Sequence, residues 1–207
     1  LPLVGGGALV ALLLIWQLSS MLHLQKRTKD LEQQLRAETR RDPLTDLPLW
    51  LGAKGESIAG EDDKPPLALL MIGLDGYSQL LAEPGEEGAN QLMAQSARMV
   101  AQCLPPTARA HRYLCSRFMV VLPEADQSRA LAVAEQIRAA LEVEAFEIGS
   151  SRVNLTVSVG ISGLAVDEAD LTMAINRAAT ALTTATQRGG NQVYWLAARE
   201  SWLEQRT

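Results

Sequence analysis

Aromatic residues are scarce: two Phe, three Tyr and four Trp make up 4% of the 207 residues. Histidine and cysteine are scarcer still, with two of each. His23 and His111 lie too far apart in sequence for zinc-ligand spacing. Two cysteines, Cys103 and Cys115, both in apolar context, exclude a disulfide scaffold and suggest a reduced, cytosolic compartment for the folded part. Positive charge is not in excess either. Nineteen Lys+Arg against 24 Asp+Glu leave a formal net charge of −5, which argues against a basic nucleic-acid module. What the chain does have is apolar residues, 47% of it, with 21% charged. That is a globular composition rather than a disordered one, with material for one medium domain, a sizeable core and appendages.

Charge is missing altogether from residues 1–24, LPLVGGGALVALLLIWQLSSMLHL. About 20 apolar residues in a helix cross a bilayer core, so this stretch predicts a transmembrane helix. Lys26, Arg27 and Lys29 follow at once, and the positive-inside rule places the C-terminal side in the cytoplasm. No basic region precedes the run, as a secretory signal would require. Gly5, Gly6 and Gly7 lie inside the apolar run, not between a strand and a helix, so they do not read as a phosphate loop. Residues 25–41 carry six basic and three acidic residues, net +3. Met21, Leu24, Thr28, Leu31 and Leu35 fall at spacings of 3, 4, 3 and 4, a heptad seam of barely two repeats. That segment reads either as a solvated helical extension or as a short coiled coil that pairs two copies. The sequence opens on Leu1 rather than Met, which leaves room for a longer natural chain and an upstream sensor.

Residues 42–207 hold 13 basic and 21 acidic residues, net −8, and their patterning alternates between strand and helix. RDPLTDLP (41–48) reads as a turn or helix entry, and GESIAGEDDKPP (55–66) as a loop. LALLMIGL (67–74) is a continuous apolar run suited to a buried central strand. Residues 85–104 follow helical spacing and stop at Pro105-Pro106. Residues 108–113 and 118–122 predict a hairpin around LCSR, and 126–141 a helix with Leu131, Ala134, Ile137 and Leu141 on one face. VNLTVSVGIS (153–162) predicts one strand, 167–188 a helix closed by Gly189-Gly190, and QVYW (192–195) a last strand. Glu142, Glu144 and Glu147 read as a solvated acidic stretch, His111 as a sheet residue, and Cys115 as a small apolar turn residue rather than a reactive thiol. The result is an α/β (α+β) sandwich, helices packed on a central sheet.

The order and several words of this pattern resemble the GGDEF family, the diguanylate cyclase domain. RDPLTDLP resembles the family's opening DxLTxLPNR, with Leu49 and Trp50 where Asn and Arg are expected. LALLMIGLDGYSQL (67–80) resembles the first strand and its D-I-D-x-F-K turn, and RYLCSRFMVVLP (112–123) resembles R-Y-G-G-D-E-F with its following strand. VNLTVSVGIS resembles T-V-S-x-G-I-A, and RAATALTTATQRGGNQV (177–193) resembles R-A-D-x-A-L-Y-x-A-K-x-x-G-R-N-x-V. The resemblance covers about three quarters of the chain and implies a GGDEF domain over 42–196 with a mostly antiparallel central sheet; the span read from hydropathy and a linker helix over 25–41 precede it. Residues 197–207 follow as a C-terminal tail or linker helix. The resemblance implies a bacterial signalling protein of the cyclic-di-GMP type, and the charge-free span makes it single-pass in the inner membrane, with the domain in the cytoplasm.

The same comparison implies that the cyclase chemistry is lost. Family members hold divalent metal with carboxylates to condense two GTP molecules. The first metal Asp corresponds here to Gly73 and the signature Glu to Arg117. The paired glycines are Leu114 and Cys115, followed by Ser116 and, after Arg117, by Phe118. The guanine-reading Asn and Asp fall at Leu81 and Asn90, and the phosphate-holding Lys and Arg at Thr186 and Gly190. The R-x-x-D product site would span Pro105 to Ala108 and is absent. Asp75 survives, and it is expected to form an ion pair with Arg117. Two other readings of Arg117 stand beside that one, a direct phosphate ligand and a solvated charge at a hairpin tip. The resemblance thus implies no catalytic residue, no metal, no cofactor and no nucleotide binding, and points to a protein partner; the heptad seam allows a homodimer through the linker helix, and the net −8 of residues 42–207 argues against direct nucleic-acid binding. Two alternatives remain: part of a GGDEF-EAL regulator of small-RNA decay of the CsrD-like type, and a receptor for GTP or cyclic di-GMP.

Overall fold

The computed structural model describes residues 41–50, 66–82, 85–114, 116–149, 151–165 and 171–198, together with Met21. The chain divides into two units, Leu1–Arg41 and Asp42–Thr207. The span expected over 1–24 and the linker helix expected over 25–41 lie outside the described residues, apart from Met21 and Arg41. Among the described residues no helix is long and apolar enough to cross a membrane.

The second unit is built on β1 (Leu67–Leu74), whose eight residues are buried almost throughout because both faces of the strand are covered. In chain order there follow α1 (Tyr77–Ala82), α2 (Gly85–Gln102), β2 (Arg109–Arg112), β3 (Arg117–Pro123), α3 (Gln127–Val143), β4 (Ala145–Ile148), β5 (Ser151–Asn154), β6 (Val157–Gly163), α4 (Thr172–Gln187) and β7 (Val193–Trp195). Five strands form one mixed sheet in the order β2-β3-β1-β6-β7, antiparallel except for the parallel β6–β7 pair, while β4 and β5 make a separate hairpin.

Strand alternation separates two cores. Ala68, Leu70, Ile72, Phe118, Val120 and Leu122 face α2 and α3, meeting Leu92, Met93, Ala134 and Ile137. Leu67, Leu69, Met71, Met119 and Val121 face α4, meeting Ala174, Ile175, Ala178 and Leu182. α4 lies directly on β6 because the strand offers it Ser158, Gly160 and Ser162 on that side. A Cβ at Gly160 would stand 2.1 Å from the Leu182 backbone nitrogen, so no other residue fits there. Asp126 caps α3 by accepting from the Arg129 N–H at 2.8 Å.

Two local expectations are corrected and one, the solvated acidic stretch, gains a strand. The strand expected over 153–162 is two strands: β5 turns away to pair with β4, and buried Leu155 and the next residue, Thr156, separate it from β6. The acidic stretch around Glu147 includes β4, where Phe146 and Ile148 are buried and Ala145 and Glu147 exposed, the alternation of an amphipathic strand. Residues 77–82 form the short helix α1, where the resemblance over 67–80 places a turn.

Candidate functional site

The candidate site lies at the end of β1 on the α4 face, where register brings the marked residues into a row. Gly73 pairs with Arg117 on β3 and with Ser158 on β6. Tyr113 adjoins Arg117, its N–H donating to the Arg117 carbonyl at 3.0 Å. An ideal Cβ at Gly73 would stand 3.3 Å from both methyls of Leu182, so the backbone here packs tightly under α4.

Asp75 follows one residue beyond β1, and its carboxylate is fully occupied. Oδ1 accepts from the Ser158 hydroxyl at 2.7 Å; Oδ2 accepts from the Thr156 hydroxyl at 2.9 Å and from the Asn191 N–H at 2.8 Å. Its own N–H donates to the Thr156 carbonyl at 3.0 Å. Gly190, at φ 76°, brings its backbone to the same carboxylate, and a Cβ there would stand 3.1 Å from it. Asn191 then reaches outward: its side-chain amide donates to Glu142 at 2.7 Å and accepts from Arg138 at 2.8 Å. Arg138 and then Asn191 hold the Glu142 carboxyl below its ordinary value. The three-stranded join of β1, β6 and the segment after α4 is therefore tied to α3 through one asparagine.

The ion pair expected between Asp75 and Arg117 does not form. Asp75 is turned toward β6, where two hydroxyls and an amide N–H satisfy it without a counter-ion. Arg117, half-buried at the start of β3, has no carboxylate partner among the described residues.

The other marked positions scatter. Leu114 is 67% exposed at the hairpin turn, where its carbonyl accepts from the Arg117 N–H at 3.0 Å, and the Ser116 carbonyl accepts from Leu74 at 3.3 Å. Cys115 lies outside the described residues. Phe118 is fully buried on the opposite sheet face, under the Arg112 guanidinium at 5.6 Å. Asn90 sits half-buried on α2, and the Thr186 hydroxyl bonds back to the Leu182 carbonyl at 3.0 Å. The sequence reading missed Thr156, Ser158 and Asn191 as the partners of Asp75. The alternation Thr156, Ser158, Gly160, Ser162 was the signal for a small, polar strand face.

The donor set does not suit a divalent cation. Hard cations need several carboxylate or carbonyl oxygens. Here the single carboxylate is already hydrogen-bonded three times, its neighbour position is a glycine, and a guanidinium stands opposite that glycine. Among the described residues no three His, Cys, Asp or Glu side chains cluster as metal ligands.

The sequence profile described as "Diguanylate cyclase, GGDEF domain" matches residues 39–192. Diguanylate cyclase A of Treponema denticola is 29% identical over 132 residues, 64% of this chain and 36% of that protein. The response regulator PleD of Caulobacter vibrioides is 25% identical over 135 residues, 64% of this chain and 30% of its own length. The chain thus spans roughly a third of the length of these curated relatives. Among solved structures, the coiled coil and GGDEF domain of DgcB from Caulobacter crescentus, in complex with c-di-GMP, gives a TM-score of 0.71 at 20% identity, covering 88% of this chain and 99% of that one. The diguanylate cyclase SiaD of Pseudomonas aeruginosa, in complex with its activator SiaC, gives 0.69 at 23% identity, covering 92% and 74%. A profile match over most of the chain, on the same mixed sheet with helices on both faces, makes this protein a member of the GGDEF family.

Proposed function

We propose that this GGDEF domain is catalytically inactive and acts in cyclic-di-GMP-type signalling through protein contacts. One observation carries the reading: Gly73 and Arg117 face each other across the β1–β3 pair where the resemblance places two metal-binding acids, and Asp75 is spent on Thr156, Ser158 and Asn191. Exchanging two anions for a neutral residue and a cation turns attraction for Mg²⁺ into repulsion. Loss of the Lys and Arg equivalents at Thr186 and Gly190 removes the phosphate grip as well. A protein partner is in keeping with SiaD, which shares the fold and was crystallised with its activator SiaC. Calorimetric titration of the purified 207-residue chain with GTP plus Mg²⁺, and separately with cyclic di-GMP, tests this. The expected result is no binding heat with either; micromolar binding of either one contradicts it.

Residues 1–24, free of charge and followed by a basic stretch, anchor the domain to the bacterial inner membrane with residues 42–207 on the cytoplasmic side. The chain is expected to sediment with membranes and to move to the supernatant when 1–24 are deleted. Equal partitioning with and without those residues contradicts the anchor.

A further inference from the structure

His111 is 6% exposed, and its Nδ1 is buried without a hydrogen-bond partner, the one such side-chain atom among the described residues. Trp50 closes over it edge-on, ring centroids 5.4 Å apart at 85°. Trp50 ends the segment 42–50, which runs beside the β2 edge. Its N–H donates to the Arg112 carbonyl at 2.8 Å, and the Arg112 N–H donates to the Pro48 carbonyl at 2.7 Å. Leu49 bridges Arg112 in parallel, and Asp42 meets the Arg112 Nε at 3.4 Å. Arg112 Nη1 in turn donates to the Arg117 carbonyl at 3.1 Å, so the segment, the strand edge and the turn before Arg117 form one bonded unit.

A neutral imidazole tolerates this cover. An imidazolium does not, because its second N–H needs an acceptor or water and its charge needs hydration. Among the described residues no carboxylate acts on it. On its own face lie Arg109 on β2 and Tyr113 just past the strand's end; on β3 the opposite residue is Met119, with Arg117 diagonal. The docked segment contributes Asp42 and Asp46. Asp42 is engaged by Thr45 at 2.6 Å and by Arg112. On α4, which covers this face of the sheet, the one ionisable residue is Arg177, held by Ser162 and Gly163. Burial first, and then the Arg109 charge, hold the imidazole below its ordinary value of 6.5, outweighing the backbone hydrogen bonds to Arg109 and Met119 that favour the charged form.

We propose that His111 is a proton-operated latch: protonating its imidazole displaces Trp50 and releases segment 42–50 from the β2 edge. The segment is where residues 1–41 join the domain, so the latch sits at the point of entry of any upstream signal, and it stands independently of whether the domain is an enzyme.

Hydrogen exchange of the Trp50 and Arg112 amides in the full chain, corrected for intrinsic rates, tests it at pH 7.5 and 5.0. Protection of these two amides is expected to fall at least tenfold on acidification while that of Leu70 and Ile72 in β1 holds. His111→Phe, aromatic but without a proton site, is expected to abolish the pH dependence. Unchanged protection in the wild type, or the same fall in His111→Phe, overturns the latch. Should that variant not fold, an NMR titration of the His111 imidazole decides, with His23→Gln removing the other histidine signal. A midpoint below 6.5 that coincides with loss of Trp50 protection supports the latch. A midpoint at or above 6.5 overturns it.

Discussion

Asp75 ties distant parts of the chain together through one side chain. Its carboxylate accepts from residues 81, 83 and 116 positions away in the chain, pinning the end of β1 to the start of β6 and to the segment after α4. Removing it leaves the fully buried Ser158 hydroxyl and the Asn191 N–H without their acceptor, which costs about 2–4 kcal/mol in all. Urea denaturation of Asp75→Ala is therefore expected to show a loss of that order, with Asp75→Asn in between. A loss below about 0.5 kcal/mol would mean the bonds are not held in solution. The residues of this site were legible singly in the sequence, and Gly73, Asp75 and Arg117 do share one corner of the fold. The pairing within it was not legible. A short carboxylate surrounded by hydroxyls does not need a cation, and those hydroxyls come from a strand more than 80 residues away.

Among the elements, α4 is the most exacting, since its height above the sheet is set by Gly160. A methyl at that position would collide with the Leu182 nitrogen and the Ala178 carbonyl at 2.1 and 2.2 Å, and backbone cannot yield as a side chain can. Gly160→Ala is expected to cost at least about 3 kcal/mol or to prevent folding. Gly163→Ala is the contrasting case: its Cβ would meet the Trp195 ring at 3.4 Å, and the cost is expected within about 1 kcal/mol. Thermal melts of both variants decide, and equal costs would contradict the close approach at Gly160. Long elements were legible because burial wrote them into the pattern: β1 as an unbroken apolar run, α2 and α3 as helical stripes. Among the short ones β2 and β7 were legible beside their turns, while β4 and α1 were not. Four residues of β4 and six of α1 give too little periodicity to stand out, and the break between β5 and β6 depends on which strand each piece pairs with.

The molecule as a whole combines an acidic domain, a histidine sealed inside it and a site where Arg117 faces Gly73 across the sheet. The folded protein binds the His111 proton less readily than the unfolded chain does. Stability is therefore highest above pH 6.5 and declines as the pH falls through the window between that value and the lowered folded pKa. Denaturation at pH 7.5 and 5.5 is expected to show this decline in the wild type and to lose it in His111→Phe. The measurement that bears most directly on the central claim is turnover: purified full chain incubated with GTP and Mg²⁺, the products separated by chromatography. Inactivity requires that no cyclic di-GMP forms at any protein concentration. Mg²⁺-dependent accumulation of cyclic di-GMP that vanishes with EDTA would show that Gly73 and Arg117 do not abolish the chemistry, and would contradict the account.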